Sequence, residues 1–185
     1  MKLYTVKKTK IPSTGKDIKL LIFQPTKAKK VASKTPGILW IHGGGYAVGM
    51  AEMAYFSRPL ALVKKYGAVV VCVNYRLSIR APYPAALEDC YSALCWMKEH
   101  ASELGVSPNQ LMVGGESAGG GLTAALCMYA IDKGDVKIAY QMPLYPMLDD
   151  RDTESSVDNH SPGWNTRRNP VSYTHLRAHE TRGNL

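Results

Sequence analysis

The segment Gly115-Glu116-Ser117-Ala118-Gly119 decides how the rest of the chain is interpreted. The apolar run Leu111-Met112-Val113 leads into it, and the small-residue run of residues 120–126 leads out of it. This order predicts a strand, a tight turn and a helix, with G-x-S-x-G at the corner. A serine there stands on a strained turn, and its flanking glycines are needed because a Cβ would collide with the neighbouring strand or helix. Alone, the pattern is equally consistent with a tightly packed glycine-rich turn or a phosphate-cradling loop.

A second glycine-rich segment, His42-Gly43-Gly44-Gly45-Tyr46, follows the apolar run of residues 37–41. Consecutive glycines after a strand let backbone N–H groups face a developing negative charge. An acyl-transfer site needs a nucleophile and such an oxyanion hole, and the two motifs supply one each. Because each motif follows a predicted strand, the pair indicates nucleophilic catalysis far more strongly than the pentapeptide alone.

The sequence resembles the hormone-sensitive-lipase-like esterases of the α/β-hydrolase superfamily. Four motifs in the same order carry the resemblance: residues 42–46, 74–77 with 83–89, 115–119 and 144–150. It runs from about residue 18 to about residue 169. The resemblance implies an α/β-hydrolase fold, a mostly parallel sheet with helices on both faces. It also implies a lipase-like serine carboxylesterase that acts on a small-molecule ester through an acyl-enzyme, with no cofactor and no metal.

The resemblance assigns roles to individual residues. Ser117 is the nucleophile, and the oxyanion hole is formed by the backbone N–H groups of Gly44, Gly45 and Ala118. Supporting roles fall to His42, Gly43, Gly115, Glu116 and Gly119. His42 is expected to hold the glycine loop by hydrogen bonding rather than to act as the base, and Glu116 to stabilise the turn from the start of the helix.

The triad acid and histidine are not identified in this chain. Chain order in the superfamily is serine, acid, histidine. After Ser117 the histidines are His160, which follows too soon and without a strand, and His175 and His179 near the C-terminus. Asp149 and Asp150 follow a strand end, but the family's acid comes after the next strand. We therefore expect an active intact parent and a 185-residue chain that is close to inactive. The alternative is a non-catalytic binding protein that keeps the fold and lacks the histidine.

The C-terminal residues have an unusual origin. The segment Val171-Ser172-Tyr173-Thr174-His175-Leu176-Arg177-Ala178-His179-Glu180-Thr181 resembles, in order, a translated transposase-end sequencing adapter. We therefore predict a C-terminally truncated, partial α/β-hydrolase domain over residues 1–169 and a non-native tail over residues 170–185. A genuine basic C-terminal helix is the alternative.

Composition narrows the class of protein. The net charge is +8, but the lysines are spread along the chain, so solvated loops and a lysine-guarded edge strand are favoured over nucleic-acid or membrane binding. The sequence shows no signal peptide and no membrane span, and we expect a cytoplasmic protein of unassigned oligomeric state. Core thiols are expected at Cys72, Cys90, Cys95 and Cys127, because their spacing fits no metal site.

The apolar periodicity predicts about six strands. Residues 1–10 and 17–24 form an antiparallel edge, and residues 37–41, 68–75, 111–114 and 136–142 form parallel strands. Helices are predicted at 51–66, 84–100 and 118–132. The strand at 136–142 is expected to be an open edge. The loop at Ser78-Ile79-Arg80 departs from the family, which more often has alanine, proline and glutamate there.

Overall fold

The computed structural model describes residues 3–26 and 35–148. Those residues form one six-stranded sheet in the order β1-β2-β4-β3-β5-β6. The strands are β1 (Tyr4–Ile11), β2 (Ile18–Pro25), β3 (Gly37–Ile41), β4 (Val69–Asn74), β5 (Leu111–Glu116) and β6 (Tyr140–Leu144). The helices are a 3₁₀ helix (Ala51–Phe56), α1 (Arg58–Tyr66), α2 (Ala85–Glu99), α3 (Ala101–Leu104) and α4 (Ala118–Lys133).

The sheet is antiparallel at one side and parallel through its centre. Strands β1 and β2 form the predicted antiparallel edge, and β2 also pairs antiparallel with β4. Strands β4, β3, β5 and β6 run parallel. Every residue of β3 is buried, as expected for a strand covered on both faces. The expected α/β-hydrolase architecture, with a mostly parallel six-stranded sheet, is confirmed.

Each face of the sheet has its own apolar core. Leu39 and Val71 point into the core beneath α2 and α4. Trp40 and Cys72, one residue further along each strand, point into the core beneath the 3₁₀ helix and α1. The neighbouring strands β3 and β5 are therefore followed by helices on opposite faces. Such a switch point opens a crevice at the carboxyl ends of the two strands, where ligands of α/β proteins bind.

The helix predicted at 51–66 is divided in two. Ser57 has an extended backbone with φ of −123°, which separates the 3₁₀ helix from α1. Pro59 lies in the first turn of α1, where its missing N–H is harmless, but the same proline would interrupt a continuous helix. Gly67 ends α1 in the left-handed region, as predicted from its position.

Strand β6 begins four residues later than predicted, at Tyr140 rather than at Val136. Val136 is buried in the core beneath α4. Its apolar side chain therefore belongs to the connection between α4 and β6 and not to a strand. Pairing with β5 runs from Met112–Tyr140 to Glu116–Leu144. Within the described residues, β6 is the outer edge of the sheet, as predicted, and Pro143 is tolerated there.

Three of the four cysteines are confirmed as core thiols. Cys72, Cys90 and Cys127 are buried, Cys95 is half-buried, and all four are free. Helices long and apolar enough to cross a membrane are lacking among the described residues.

Candidate active site

Ser117 occupies a strained corner between β5 and α4. Its backbone has φ of 56° and ψ of −119°, a region that residues with a Cβ rarely adopt. Its N–H donates to the carbonyl oxygen of Leu144 at 3.0 Å. Its carbonyl oxygen accepts from the N–H of Gly121 at 3.0 Å, which closes the first turn of α4. The predicted strand–turn–helix at the G-x-S-x-G motif is therefore present.

The two flanking glycines are required by close backbone contacts. A Cβ at Gly115 would collide with the carbonyl group of Gly119 and stand 2.8 Å from the carbonyl oxygen of Ile41. A Cβ at Gly119 would collide with the carbonyl oxygen of Ile41 and stand 2.5 Å from that of His42. The backbones of β5, of α4 and of the end of β3 therefore lie closer to one another than any side chain at residues 115 or 119 would allow.

The glycine loop lies directly against this corner. A Cβ at Gly43 would stand 3.3 Å from the Cβ of Ser117. The next three residues have positive φ: 117° at Gly44, 58° at Gly45 and 62° at Tyr46. The carbonyl oxygen of Gly44 accepts from the N–H groups of Ala47 and Val48, at 3.1 and 3.0 Å, so it is turned into the loop. Gly44 and Gly45 lie on the loop, and Ala118 is the first residue of α4.

His42 is a buried part of the loop's support. Its Nδ1 lies 2.7 Å from the carbonyl oxygen of Gly43, and its ring stacks on Tyr75 with a centroid distance of 4.2 Å. Burial lowers the pKa of the imidazole, so His42 is neutral at neutral pH and its Nδ1 is the donor. Its Nε2 has no hydrogen-bond partner among the described residues. This geometry corresponds to the loop-supporting role inferred from the resemblance.

Glu116 ends β5 rather than starting the helix, which corrects its predicted position because α4 begins two residues later at Ala118. Its carboxylate lies beside the Tyr145 phenol. Desolvation, and then the neighbouring Glu116 charge, raise the pKa of Tyr145, whose side chain is exposed.

A buried ion pair fixes the loop after β4. Asp89 of α2 is fully buried and accepts from the backbone N–H of Arg76 at 2.8 Å and from its guanidinium at 2.8 Å. Ser13 donates to the same carboxylate at 2.5 Å. The preceding Tyr75 donates its hydroxyl to the carbonyl oxygen of His42 at 3.0 Å, so the pair holds the segment that underlies the glycine loop.

Two elements that pack against the first turn of α4 belong to motifs of the resemblance but received no individual role from the sequence. One is Tyr46, which is fully buried, and the other is the turn of residues 144–147 after β6. A signal for both exists in Gly120 and Gly121, which extend the glycine run beyond the motif and imply a close neighbour for the first turn of α4.

The described residues contain two histidines, His42 and His100, and the Nδ1 of His100 lies 3.0 Å from the carbonyl oxygen of Trp96. The predictions for the remaining acid and base candidates lie outside the described residues: Asp149, Asp150, His160, His175 and His179. Within residues 3–26 and 35–148, no cluster of His, Cys, Asp and Glu could hold a metal ion.

The fold, with Ser117 at the corner between β5 and α4, is that of an α/β hydrolase. A family model described as alpha/beta hydrolase fold matches residues 38–180, and the chain belongs to this family. The relatives below place it with the hormone-sensitive-lipase-like esterases. The matched range includes residues 171–180, and the boundary predicted at residue 169 stays a prediction.

Curated relatives of the chain include a carboxylesterase and a deacetylase. The chain is 36% identical over 132 residues to carboxylesterase NlhH of Mycobacterium tuberculosis, covering 70% of this chain and 40% of the relative. It is 34% identical over 147 residues to arylacetamide deacetylase of Bos taurus, covering 76% and 36%. The chain therefore spans well under half the length of these relatives.

Solved esterase structures share the fold. A structure described as a bacterial heroin esterase matches with a TM-score of 0.82 and 34% identity, over 94% of this chain and 55% of the other. The hyperthermophilic esterase from Pyrobaculum calidifontis matches with a TM-score of 0.79 and 30% identity, over 94% and 54%.

Proposed function

We propose that this chain is the nucleophile-bearing part of a serine carboxylesterase, with Ser117 as the nucleophile. The strained backbone of Ser117, in contact with the glycine loop, is the observation that carries the proposal. A strand–helix corner of this kind exposes the serine hydroxyl at the carboxyl edge of the sheet. Neither a tightly packed structural turn nor a phosphate loop needs a second glycine loop beside a serine Cβ.

The reaction proceeds in two steps. The Ser117 oxygen bonds to the ester carbonyl carbon and its proton passes to a base outside the described residues. The bond to the alkoxy oxygen then breaks, and the base returns the proton to the leaving alcohol. Water then gives a proton to the same base as it attacks the acyl-enzyme. The bond between acyl group and Ser117 breaks, the serine oxygen takes that proton back, and the acid leaves. In both steps the N–H groups of Gly44, Gly45 and Ala118 hold the negative oxygen, with the α4 N-terminus adding its dipole.

The substrate class follows from the relatives. Their names describe esterases and a deacetylase, and the proposed substrate is a small-molecule ester with a short acyl group. The proposed chemistry uses no cofactor. A cytoplasmic location also remains part of the proposal.

A fluorophosphonate probe tests this function on the full-length natural protein that contains residues 1–169. The expected result is covalent labelling that disappears in Ser117→Ala and persists in Ser102→Ala, because Ser102 is an exposed serine on α3. Intact, folded protein that takes up no label would overturn the enzyme and favour the non-catalytic binding protein.

A further inference from the structure

We propose that Tyr46 and the turn of residues 144–147 are positioning elements that hold the backbone of Ser117 in its strained conformation. The inference rests on the proposed function for the role of Ser117, but its geometry can be tested separately. Neither element belongs to the oxyanion hole or to the G-x-S-x-G motif.

Both polar backbone groups of Ser117 are bonded to this turn. The N–H of Ser117 donates to the carbonyl oxygen of Leu144 at 3.0 Å, which extends the ladder between β5 and β6 by one residue. The N–H of Met147 donates to the carbonyl oxygen of Ser117 at 3.2 Å. The backbone N–H and C=O groups of Ser117, which has φ of 56°, are thus both held by one short segment. We call these two hydrogen bonds the clamp.

Tyr46 ties the same turn to the glycine loop. Its ring is fully buried, and its hydroxyl donates to the carbonyl oxygen of Met147 at 3.2 Å. Burial raises the pKa of this hydroxyl, which therefore stays protonated and remains a donor. Its own carbonyl oxygen accepts from the N–H of Ser78 at 2.9 Å and from the Ser78 hydroxyl at 3.0 Å. The glycine loop, the turn and the nucleophile are consequently joined in one hydrogen-bonded chain.

The glycines after the motif leave space for this chain of contacts. A Cβ at Gly120 would stand 2.9 Å from the carbonyl oxygen of Leu144 and 3.0 Å from the Cα of Pro146. A Cβ at Gly121 would collide with the Tyr46 hydroxyl and with the carbonyl oxygen of Met147. Glycine is a poor helix former, so two further glycines in the first turn of α4 are explained by this close approach.

Removing the Tyr46 hydroxyl should loosen the clamp without emptying the core. Tyr46→Phe keeps the buried ring and removes the hydroxyl that donates to the carbonyl oxygen of Met147. Tyr91→Phe is the matched control, because it removes a surface hydroxyl that donates to Asp135 at 2.9 Å. Amide hydrogen exchange measured by NMR on the 185-residue chain reports the Met147 and Ser117 N–H groups directly.

The expected result is exchange about five- to tenfold faster at Met147 and Ser117 in Tyr46→Phe, as befits one lost hydrogen bond, with no such change in Tyr91→Phe. Unchanged exchange at both amides would overturn the inference. So would acceleration spread equally over β5 and all of α4, because that would make Tyr46 a general stability residue.

The chemical consequence is tested on the full-length natural protein. Tyr46→Phe should slow fluorophosphonate labelling and ester turnover about fivefold or more while KM stays near the wild-type value, because the clamp sets the nucleophile and not the substrate pocket. Equal labelling rates would overturn the positioning role. A wild-type protein that takes no label would refute the proposed function instead, and the exchange measurement would still decide whether the clamp exists.

Discussion

A Cβ placed on Gly43 would stand 2.8 Å from the carbonyl oxygen of Glu116, the residue that precedes Ser117. The same Cβ would stand 3.3 Å from the Cβ of Ser117. Real Cβ atoms do not approach a carbonyl oxygen that closely. The glycine loop can therefore lie this close to Ser117 only because residue 43 has no side chain.

Gly43→Ala should therefore push the glycine loop away from the nucleophile. We expect labelling by a fluorophosphonate to fall about 100-fold, because displacing one oxyanion donor costs about that factor. Gly67→Ala is the control: Gly67 has φ of 65° but open space around its Cβ position, so it should lose about 1 kcal/mol of stability and keep its labelling rate. Equal labelling rates for the two variants would contradict this account of the loop.

The buried ion pair predicts a large stability difference between two carboxylates. Asp89→Ala removes the buried carboxylate that accepts from Arg76 and Ser13, while Arg76, 21% exposed, keeps a longer contact of 3.9 Å with Glu88. The free energy of unfolding should fall by about 3 kcal/mol. Glu52→Ala removes the exposed pair with Lys8 and should cost less than about 1 kcal/mol. Urea unfolding of both variants gives the comparison. An Asp89→Ala protein as stable as Glu52→Ala would show that Asp89 does not anchor the segment under the glycine loop.

The stability of the fold should depend on the protonation of His42. Burial lowers the pKa of this imidazole below its usual value of 6.5, so the unfolded chain binds a proton more readily than the folded one. The stabilisation is complete above about pH 6.5 and is lost as the pH falls toward the lowered pKa, with a slope of at most about 1.4 kcal/mol per pH unit.

His42→Gln removes this titration. The variant should be less stable than the wild type at neutral pH, yet lose less of its unfolding free energy between about pH 7 and pH 5.5. Denaturant unfolding at several pH values in that range measures both slopes. If the unfolding free energy of the two proteins fell equally with pH, the pH dependence could not be assigned to His42.

Sequence patterns predicted the parts of this fold that depend on local periodicity. The helical spacing of Ala86, Cys90 and Leu94 placed α2 within one residue at each end, and all three side chains are buried. The start of β6 was wrong because Val136 is apolar for a different reason, namely its packing under α4. An apolar residue in a sequence predicts that its side chain is buried, but it does not predict which element it packs against.

In the candidate site, too, local sequence features were predictable and contacts between distant segments were not. Glycines at 43, 115 and 119 were predictable because each marks a close backbone approach. The clamp on Ser117 was not, since its donors and acceptors are backbone groups from segments far apart in sequence. Ser78 was noted only as a departure from the family, but its hydroxyl adds a hydrogen bond to Tyr46 that alanine could not make.

The exposed side of α4 and β6 predicts binding of an apolar dye. Met128, Ile131 and Tyr140 are more than half exposed, and Ile131 and Tyr140 line a cavity of about 560 Å³. We expect the 185-residue chain to increase the fluorescence of such a dye, and Ile131→Glu to reduce that increase. Ile79→Glu, which changes an equally apolar exposed residue elsewhere, should leave it unchanged. The same signal in both variants would place the dye at another surface.

The 185-residue chain should turn over esters far more slowly than the full-length natural protein. The described residues include no histidine placed as a base for Ser117, and without a working triad about a millionfold of kcat is lost even when the oxyanion hole remains. Hydrolysis of a short-chain nitrophenyl ester by equal amounts of both proteins, with Ser117→Ala as background, provides the measurement. Comparable turnover would show that the acid and base lie within residues 1–185.

The glycines of α4 also bear on the stage of folding at which Ser117 adopts its strained conformation. Gly119, Gly120 and Gly121 each weaken a helix by about 0.8–1.0 kcal/mol relative to alanine, so the first turn of α4 does not form on its own. In the folded protein the end of β3 and the turn of residues 144–147 lie directly against this first turn of α4, and we expect it to become helical when they pack there. We therefore expect Ser117 to acquire its conformation after the central strands have paired. On warming, the order reverses, and the serine should lose its reactive geometry while the sheet beneath it is still intact.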